Sequence, residues 1–296
     1  MDRRFACVIA LAGCGRIAFD PRTDAAAPVR CDWSHGAPAL ATTPMLVTSL
    51  TSGTGESDPF LVPGDPHTMY FTSGRTGAGD IYVAHRAALD LDWDPPAPVA
   101  ELDTSTLVES SLVVDAGALD GYYDVLDGAA GTAKLYELAR ATTSDPYQVV
   151  RELTELDTHA VQYDPFPSAG EHALYFTAGT VANDLELYIA SRATEDATWG
   201  DVQLAPYSTP GASQQTLTAD RLAVLWSAEN LDSFDLFYAV RQTVNDPFGP
   251  PSVLAVSSTT NNDYEPYIRD DGCELHWTSG PGFAGTGGIY EVMFAP

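Results

Sequence analysis

Met69-Tyr70-Phe71-Thr72-Ser73, then Gly74-Arg75-Thr76-Gly77-Ala78-Gly79, then Asp80-Ile81-Tyr82-Val83-Ala84-His85-Arg86 reads as two aromatic-bearing strands around a glycine turn, the pattern of a β-hairpin. The passage recurs along the chain. Aromatics equivalent to Phe71 fall at Tyr123, Phe176, Trp226 and Trp277, and those equivalent to Tyr82 at Tyr136, Tyr188, Phe237 and Tyr290. Four positions after each of the latter comes Arg86, Arg140, Arg192 or Arg241, and in the last copy Phe294. An acidic or amide residue, often before proline, opens each copy: Asp58, Glu109, Asp164, Gln214 and Glu265. Behind the third strand, segments such as Trp93 to Val99 and Trp199 to Val202 suit a short outer strand, where proline is tolerated. Four strands in about 50 residues make a propeller blade.

The sequence therefore predicts an all-β chain: a five-bladed β-propeller of four-stranded antiparallel blades over residues 44–296. Blades are expected at about 53–102, 103–157, 158–207, 208–257 and 258–296. The fifth copy stops at Pro296 without an outer strand, and Pro44 to Leu50 has the register of one. Leu50 precedes Asp58 by eight positions, as Leu156 precedes Asp164. Strand 44–50 is thus expected to close the ring and remove its exposed edges.

Cysteine usage bears on the same point. The chain starts Met-Asp-Arg-Arg, followed by an apolar stretch from Phe5 to Leu11 and then Leu11-Ala12-Gly13-Cys14. A basic start, a short apolar core and small residues make a secretory signal over 1–13, too short to span a bilayer. Leu11 to Cys14 resembles the lipobox of bacterial lipoproteins, which implies lipidation of Cys14, a tether over 14–43 and an address at the cell envelope. The residue after the cysteine is Gly15 rather than the aspartate of an inner-membrane retention signal, which favours the outer membrane. Cys7 leaves with the signal, so Cys31 and Cys273 remain. They pair as a disulfide in an oxidising compartment or stay as two buried thiols. A ring that joins its ends would bring them close.

The repeats resemble the TolB-like, WD40-like propeller repeat family of bacterial envelope proteins. Ser57-Asp58-Pro59, Leu174-Tyr175-Phe176, Asp80 to Arg86 and Trp93 carry the resemblance over roughly 44–296, while Glu109-Ser110-Ser111 departs from it by lacking the proline. The fold implied does not settle a function. Side chains that return in every copy, the third-strand tyrosines and arginines, read as scaffold. First strands line a propeller's channel, which makes Asp58, Glu109, Asp164, Gln214 and Glu265 its expected lining.

The four carboxylates among them, Asp58, Glu109, Asp164 and Glu265, are the candidates for catalysis. Some five-bladed propellers are glycoside hydrolases, whose paired acids stand about 5–9.5 Å apart. The same four could hold a divalent cation. The alternative is hydrogen bonding at strand starts, since the acidic position belongs to the repeat itself. No other cofactor is implied. No Gly-x-Ser-x-Gly, His-Glu-x-x-His or Cys-x-x-Cys occurs, and none of the six histidines forms a ligand pair at ordinary metal spacing.

Lys and Arg number 14 against 41 Asp and Glu, a net charge of −27 that argues against nucleic acid and anionic headgroups as partners. Membrane attachment is expected only through the lipid. The leading expectation is a monomeric, non-enzymatic recognition or scaffold module that binds an envelope protein or glycan. A carbohydrate-active hydrolase is the alternative, and a purely structural envelope protein the third reading.

Overall fold

In each copy, aromatic and aliphatic residues alternate with small polar ones, the period of a strand that buries one side against a neighbour. The computed structural model describes residues 30–296 apart from 78, 169–171, 181–183, 196, 232, 258–260 and 282–286. The leader over 1–13, Cys14 and the tether up to residue 29 lie outside the described residues.

A short strand β1 (Met45–Leu46) precedes five antiparallel units. The first is β2 (Glu56–Val62), β3 (Asp65–Ser73), β4 (Asp80–His85) and β5 (Ala97–Pro98). The second is β6 (Val108–Val114), β7 (Asp120–Asp127), β8 (Thr132–Ala139) and β9 (Gln148–Glu152), and the third β10 (Val161–Ser168), β11 (Ala173–Gly179), β12 (Glu186–Ser191) and β13 (Gly200–Leu204). A single parallel pair, Val161 with Ala133, joins these two. The fourth is β14 (Ser213–Leu217), β15 (Ala223–Asn230), β16 (Ser233–Val240) and β17 (Ser252–Val253).

The fifth is β18 (Asn262–Ile268), β19 (Glu274–Gly280) and β20 (Gly288–Met293), and its fourth strand is β1, with Met45 opposite Glu291 and Leu46 opposite Tyr290. Leading strands of successive units lie against one another, and β18 lies against β2. The architecture is all-β and propeller-like. No helix among the described residues is long and apolar enough to cross a membrane.

A recurring pillar explains the periodic arginines. Arg86 lies over the Trp93 ring at 4.5 Å, Arg140 over Tyr147 at 4.1 Å, Arg192 over Trp199 at 4.3 Å and Arg241 over Phe248 at 4.5 Å. Each such cation–π contact stabilises by roughly 0.5–2 kcal/mol when shielded from water. The guanidinium Nε of Arg86, Arg140 and Arg241 also donates to a carbonyl in or just after the turn between first and second strands, at Pro66 O, Ala118 O and Arg221 O. These side chains are scaffold, as expected from their recurrence.

In the fifth unit Phe294 takes the arginine's place, and the N-terminal segment completes the pillar. Trp33, fully buried, packs edge-on against Phe294 at 5.0 Å, and its Nε1 donates to Gly272 O at 2.8 Å. Gly272 O occupies the turn position of Ala118 O and Arg221 O, because Phe294 N reaches Cys273 O as Arg140 N reaches Leu119 O. The indole supplies both ring and donor. Nearby, Cys31 and Cys273 form a disulfide with Cα atoms 5.1 Å apart.

Candidate functional site

Every leading strand contains a register shift, a β-bulge that inserts one residue and turns it out of the ladder. The bulged residues are Asp58, Ser111, Asp164, Gln214 and Glu265, with φ of 53°, 53°, 55°, 46° and 58°. Non-glycine residues in the left-handed region cost about 1 kcal/mol or more each, so surrounding contacts must hold them there. They gather on the axis, where Asp58, Ser111, Asp164 and Gln214 line one cavity.

The second unit corrects the sequence reading. Ser111, not Glu109, is the axial residue, because the repeat counted from its acidic residue runs two positions early there. Glu109 is fully buried between the first and second units, where the Thr104 hydroxyl donates to it at 2.5 Å. Its counterpart in the first unit is Glu56, which Arg75 and Ser73 hold.

The strand behind supplies a residue the sequence reading missed. After each second-strand aromatic comes Thr72, Asp124, Thr177, Ser227 or Thr278, so the second unit carries a carboxylate where the others carry hydroxyls. Aligning that position across the copies would have revealed it. Asp124 Oδ1 accepts from the Asp164 backbone N–H at 3.1 Å, and Thr177 Oγ1 accepts from that of Gln214 at 2.9 Å. Each bulge is thereby fastened to the preceding unit. At the first unit, the Asp58 N–H donates instead to Glu265 Oε2 at 2.9 Å, and the Thr278 hydroxyl donates to the same oxygen at 2.6 Å.

Four carboxyls, Asp58 and Asp124 buried and Asp164 and Glu265 partly so, thus share one space, and among the described residues none of them has an ion pair with a guanidinium or ammonium. Burial is the first cause that raises all four. The charge of Asp58 adds to it at Asp124, which reaches about 6, and at Glu265, which rises well above the usual carboxylate range. Asp164 also rises well above that range, pushed after burial by Asp124 and Asp58.

Hydrogen bonding points the same way. Ser111 Oγ lies 3.0 Å from both Asp58 Oδ1 and Asp164 Oδ1. A hydroxyl has one proton, so it donates to one carboxylate and accepts from the other as a carboxylic acid. Asp58 also accepts from Ser57 Oγ at 2.8 Å and from Gln214 Nε2 at 3.2 Å, so the two carboxyls and the hydroxyl share their protons in one buried network.

The axial cavity measures about 20 Å³. That is room for one water-sized occupant, since about 10–15 Å³ is the minimum for a water. Beyond the bulges, toward the ends of the leading strands, the axis widens into a second cavity of about 130 Å³ lined by Phe60, Phe166, Leu217 and Tyr267, with Arg221 and Asp270 also in its wall. Among the described residues, two groups of three bring potential metal-ligand atoms within 4.8 Å of one another: Asp80, Asp103 and Glu109, and Glu274, His276 and Glu291. Neither contains an axial residue.

No protein-family model matches the chain, and no curated protein matches it. Solved structures do. TolB from Acinetobacter baumannii is 13% identical, with a TM-score of 0.54 over 83% of this chain and 56% of that one; the chain thus spans little more than half of TolB. A family-43 endo-arabinanase from Bacillus licheniformis is 12% identical, with a TM-score of 0.55 over 83% of this chain and 97% of that one. An α-L-arabinofuranosidase from Podospora anserina, solved in complex with cellotriose, is 9% identical, with a TM-score of 0.54 over 82% and 91%. At these identities the likeness is one of fold.

Proposed function

We propose that this chain is a non-catalytic recognition or scaffold module of the bacterial envelope. In this reading it is a five-bladed propeller of the TolB-like, WD40-like repeat kind, closed by β1, tethered through lipid on Cys14, and engaging a protein or glycan at one end of its axis. The observation that carries the reading is the size of the axial cavity. At about 20 Å³ it has no room for a sugar ring, whereas ligand sites span roughly 300–1,000 Å³. Its acids are engaged with one another, with hydroxyls and with backbone N–H groups, so they hold the leading strands together. The wider apolar cavity at the other end, about 130 Å³, is the recess open to a partner's side chain.

Glycoside hydrolysis is the second reading, favoured by one observation. Ser111 Oγ bridges Asp58 and Asp164, which sets their carboxyls within about 6 Å of each other, close to the spacing of a retaining pair. Burial raises both carboxyls, so one of the pair can hold a proton while the other is charged, as an acid and a nucleophile require.

A polysaccharide panel that includes arabinan separates the two. The full chain is expected to release no sugar, and Asp58→Asn and Asp164→Asn to leave any glycan or envelope-protein binding intact. Reducing-sugar release that either substitution abolishes would establish the hydrolase instead. Leu217→Arg, which fills the apolar recess with a charge, is expected to weaken partner binding at least tenfold.

A further inference from the structure

On the second strand, the position just before the recurring aromatic holds Tyr70, Tyr122, Tyr175 and Leu225 in the first four units. Tyr122 packs edge-on against Trp199 of the next unit, and Tyr70 meets Tyr147 of the next. The fifth unit breaks this pattern with His276, which is fully buried and whose two ring nitrogens have no hydrogen-bond partner. A buried imidazole left in that state is costly unless it has a purpose.

The ring is aimed at two carboxylates. His276 Nε2 lies 3.4 Å from Glu274 Oε1 and 3.4 Å from Glu291 Oε2. Both separations are long for hydrogen bonds to a ring nitrogen. They do match the edge of a tetrahedron around a metal held at about 2.0–2.2 Å, which is roughly 3.3–3.5 Å.

We propose that Glu274, His276 and Glu291 form a binding site for a divalent transition-metal ion of the Zn²⁺ type, between the fifth and first units. Imidazole with two carboxylates is a donor set suited to such ions. Glu274 and His276 are buried, while the Glu291 side chain is 30% exposed, which leaves an entry path and a fourth position for water.

The surroundings supply the outer contacts a metal-binding carboxylate needs. Arg86 Nη2 lies 3.1 Å from Glu274 Oε1, and Arg269 pairs with Glu274 Oε2. Arg269 is itself engaged by Asp271, its Nε donating at 3.0 Å. Three carboxylates against two guanidiniums leave this pocket one negative charge in excess. The group formed by Asp80, Asp103 and Glu109 has only carboxylate donors and lacks a comparable unpartnered side chain.

The test strips the full chain with chelator and titrates it with Zn²⁺, reading binding heat and thermal midpoint. The expected result is one strongly bound ion per chain, a midpoint raised by about 5 °C at a hundredfold excess over Kd, and at least tenfold weaker binding in His276→Gln and in Glu291→Gln. Co²⁺ should give the intense visible bands of a four-coordinate site in the parent chain and lose them in His276→Gln. Glu291 sits on the partly exposed side, so Glu291→Gln keeps the test decisive if His276→Gln fails to fold. No binding, equal binding by parent and variants, or a protonated His276 ring whose NMR signals ignore Zn²⁺ would each overturn the proposal.

Discussion

Asp124 stands where the other units place Thr72, Thr177, Ser227 and Thr278, and that exchange of hydroxyl for carboxylate adds a fourth titratable group to the axis. Its folded pKa of about 6 exceeds the ordinary value of 3.8, because burial disfavours the charge and Asp58 repels it. The folded chain therefore holds this proton more tightly than the unfolded chain. Stability from it is complete below about pH 4 and is lost as pH rises through about 6. Asp124→Asn keeps an acceptor for the Asp164 N–H without the charge. It should stabilise the chain at pH 8 by on the order of 1–3 kcal/mol and change little at pH 4, as read from urea unfolding between those limits. Equal stability of the two proteins at pH 8 would mean that the axial acids are paired some other way. Asp164, which burial and then the charges of Asp124 and Asp58 raise, contributes a proton dependence of the same sign.

At the scale of elements, the pillar of the fifth unit is the sharpest case of one segment doing another's work. Trp33 replaces both the aromatic found in the other four and the guanidinium donor shown by Arg86, Arg140 and Arg241, and the Cys31–Cys273 bond holds it in place. Trp33→Ala should cost about 3–5 kcal/mol through the cavity left and the lost donor to Gly272 O. Cys31→Ser with Cys273→Ser should cost about 2–5 kcal/mol, because a tie over 242 positions restricts the unfolded chain strongly. Thermal unfolding with and without reductant checks both, and a reductant effect that persists in the double serine variant would locate the stabilisation elsewhere. The hairpins were legible in the sequence because aromatic pairs such as Phe71 with Tyr82 and Trp277 with Tyr290 repeat at strand spacing, and these residues are direct cross-strand partners. Strand pairing at Met45 and Leu46 was legible for the same reason, since the last copy lacks an outer strand. Glu109 was misplaced because a bulge adds a residue without leaving a compositional mark, so an acidic residue two positions early imitates the axial one. Trp33 was not legible, since its role exists only after the two ends of the chain meet. Neither was the meeting of Glu274 and His276 with Glu291, which lies on the next strand of the hairpin.

For the whole molecule, the N-terminal segment is the part whose removal should change the most. It supplies β1, the bridge from Leu40 to Phe294, Trp33 and one half of the disulfide, all against the final unit. Without residues 30–50, the outer edge of β20 would present free N–H and C=O groups beside newly exposed apolar surface from Trp277, Phe294 and Leu275. A net charge of −27 disfavours close approach of two copies, so the full chain is expected to be monomeric, with repulsion outweighing any residual edge pairing. Truncation tips that balance, because an unpaired strand edge is satisfied most directly by the same edge of another copy. Size-exclusion chromatography with light scattering should therefore give a monomer for residues 30–296 and a dimer or larger species for residues 51–296, increasing with salt as the repulsion is screened. A monomeric, cooperatively unfolding 51–296 fragment would show that the β-units hold together without the strand, and that the N-terminal segment is not what keeps the last unit in place.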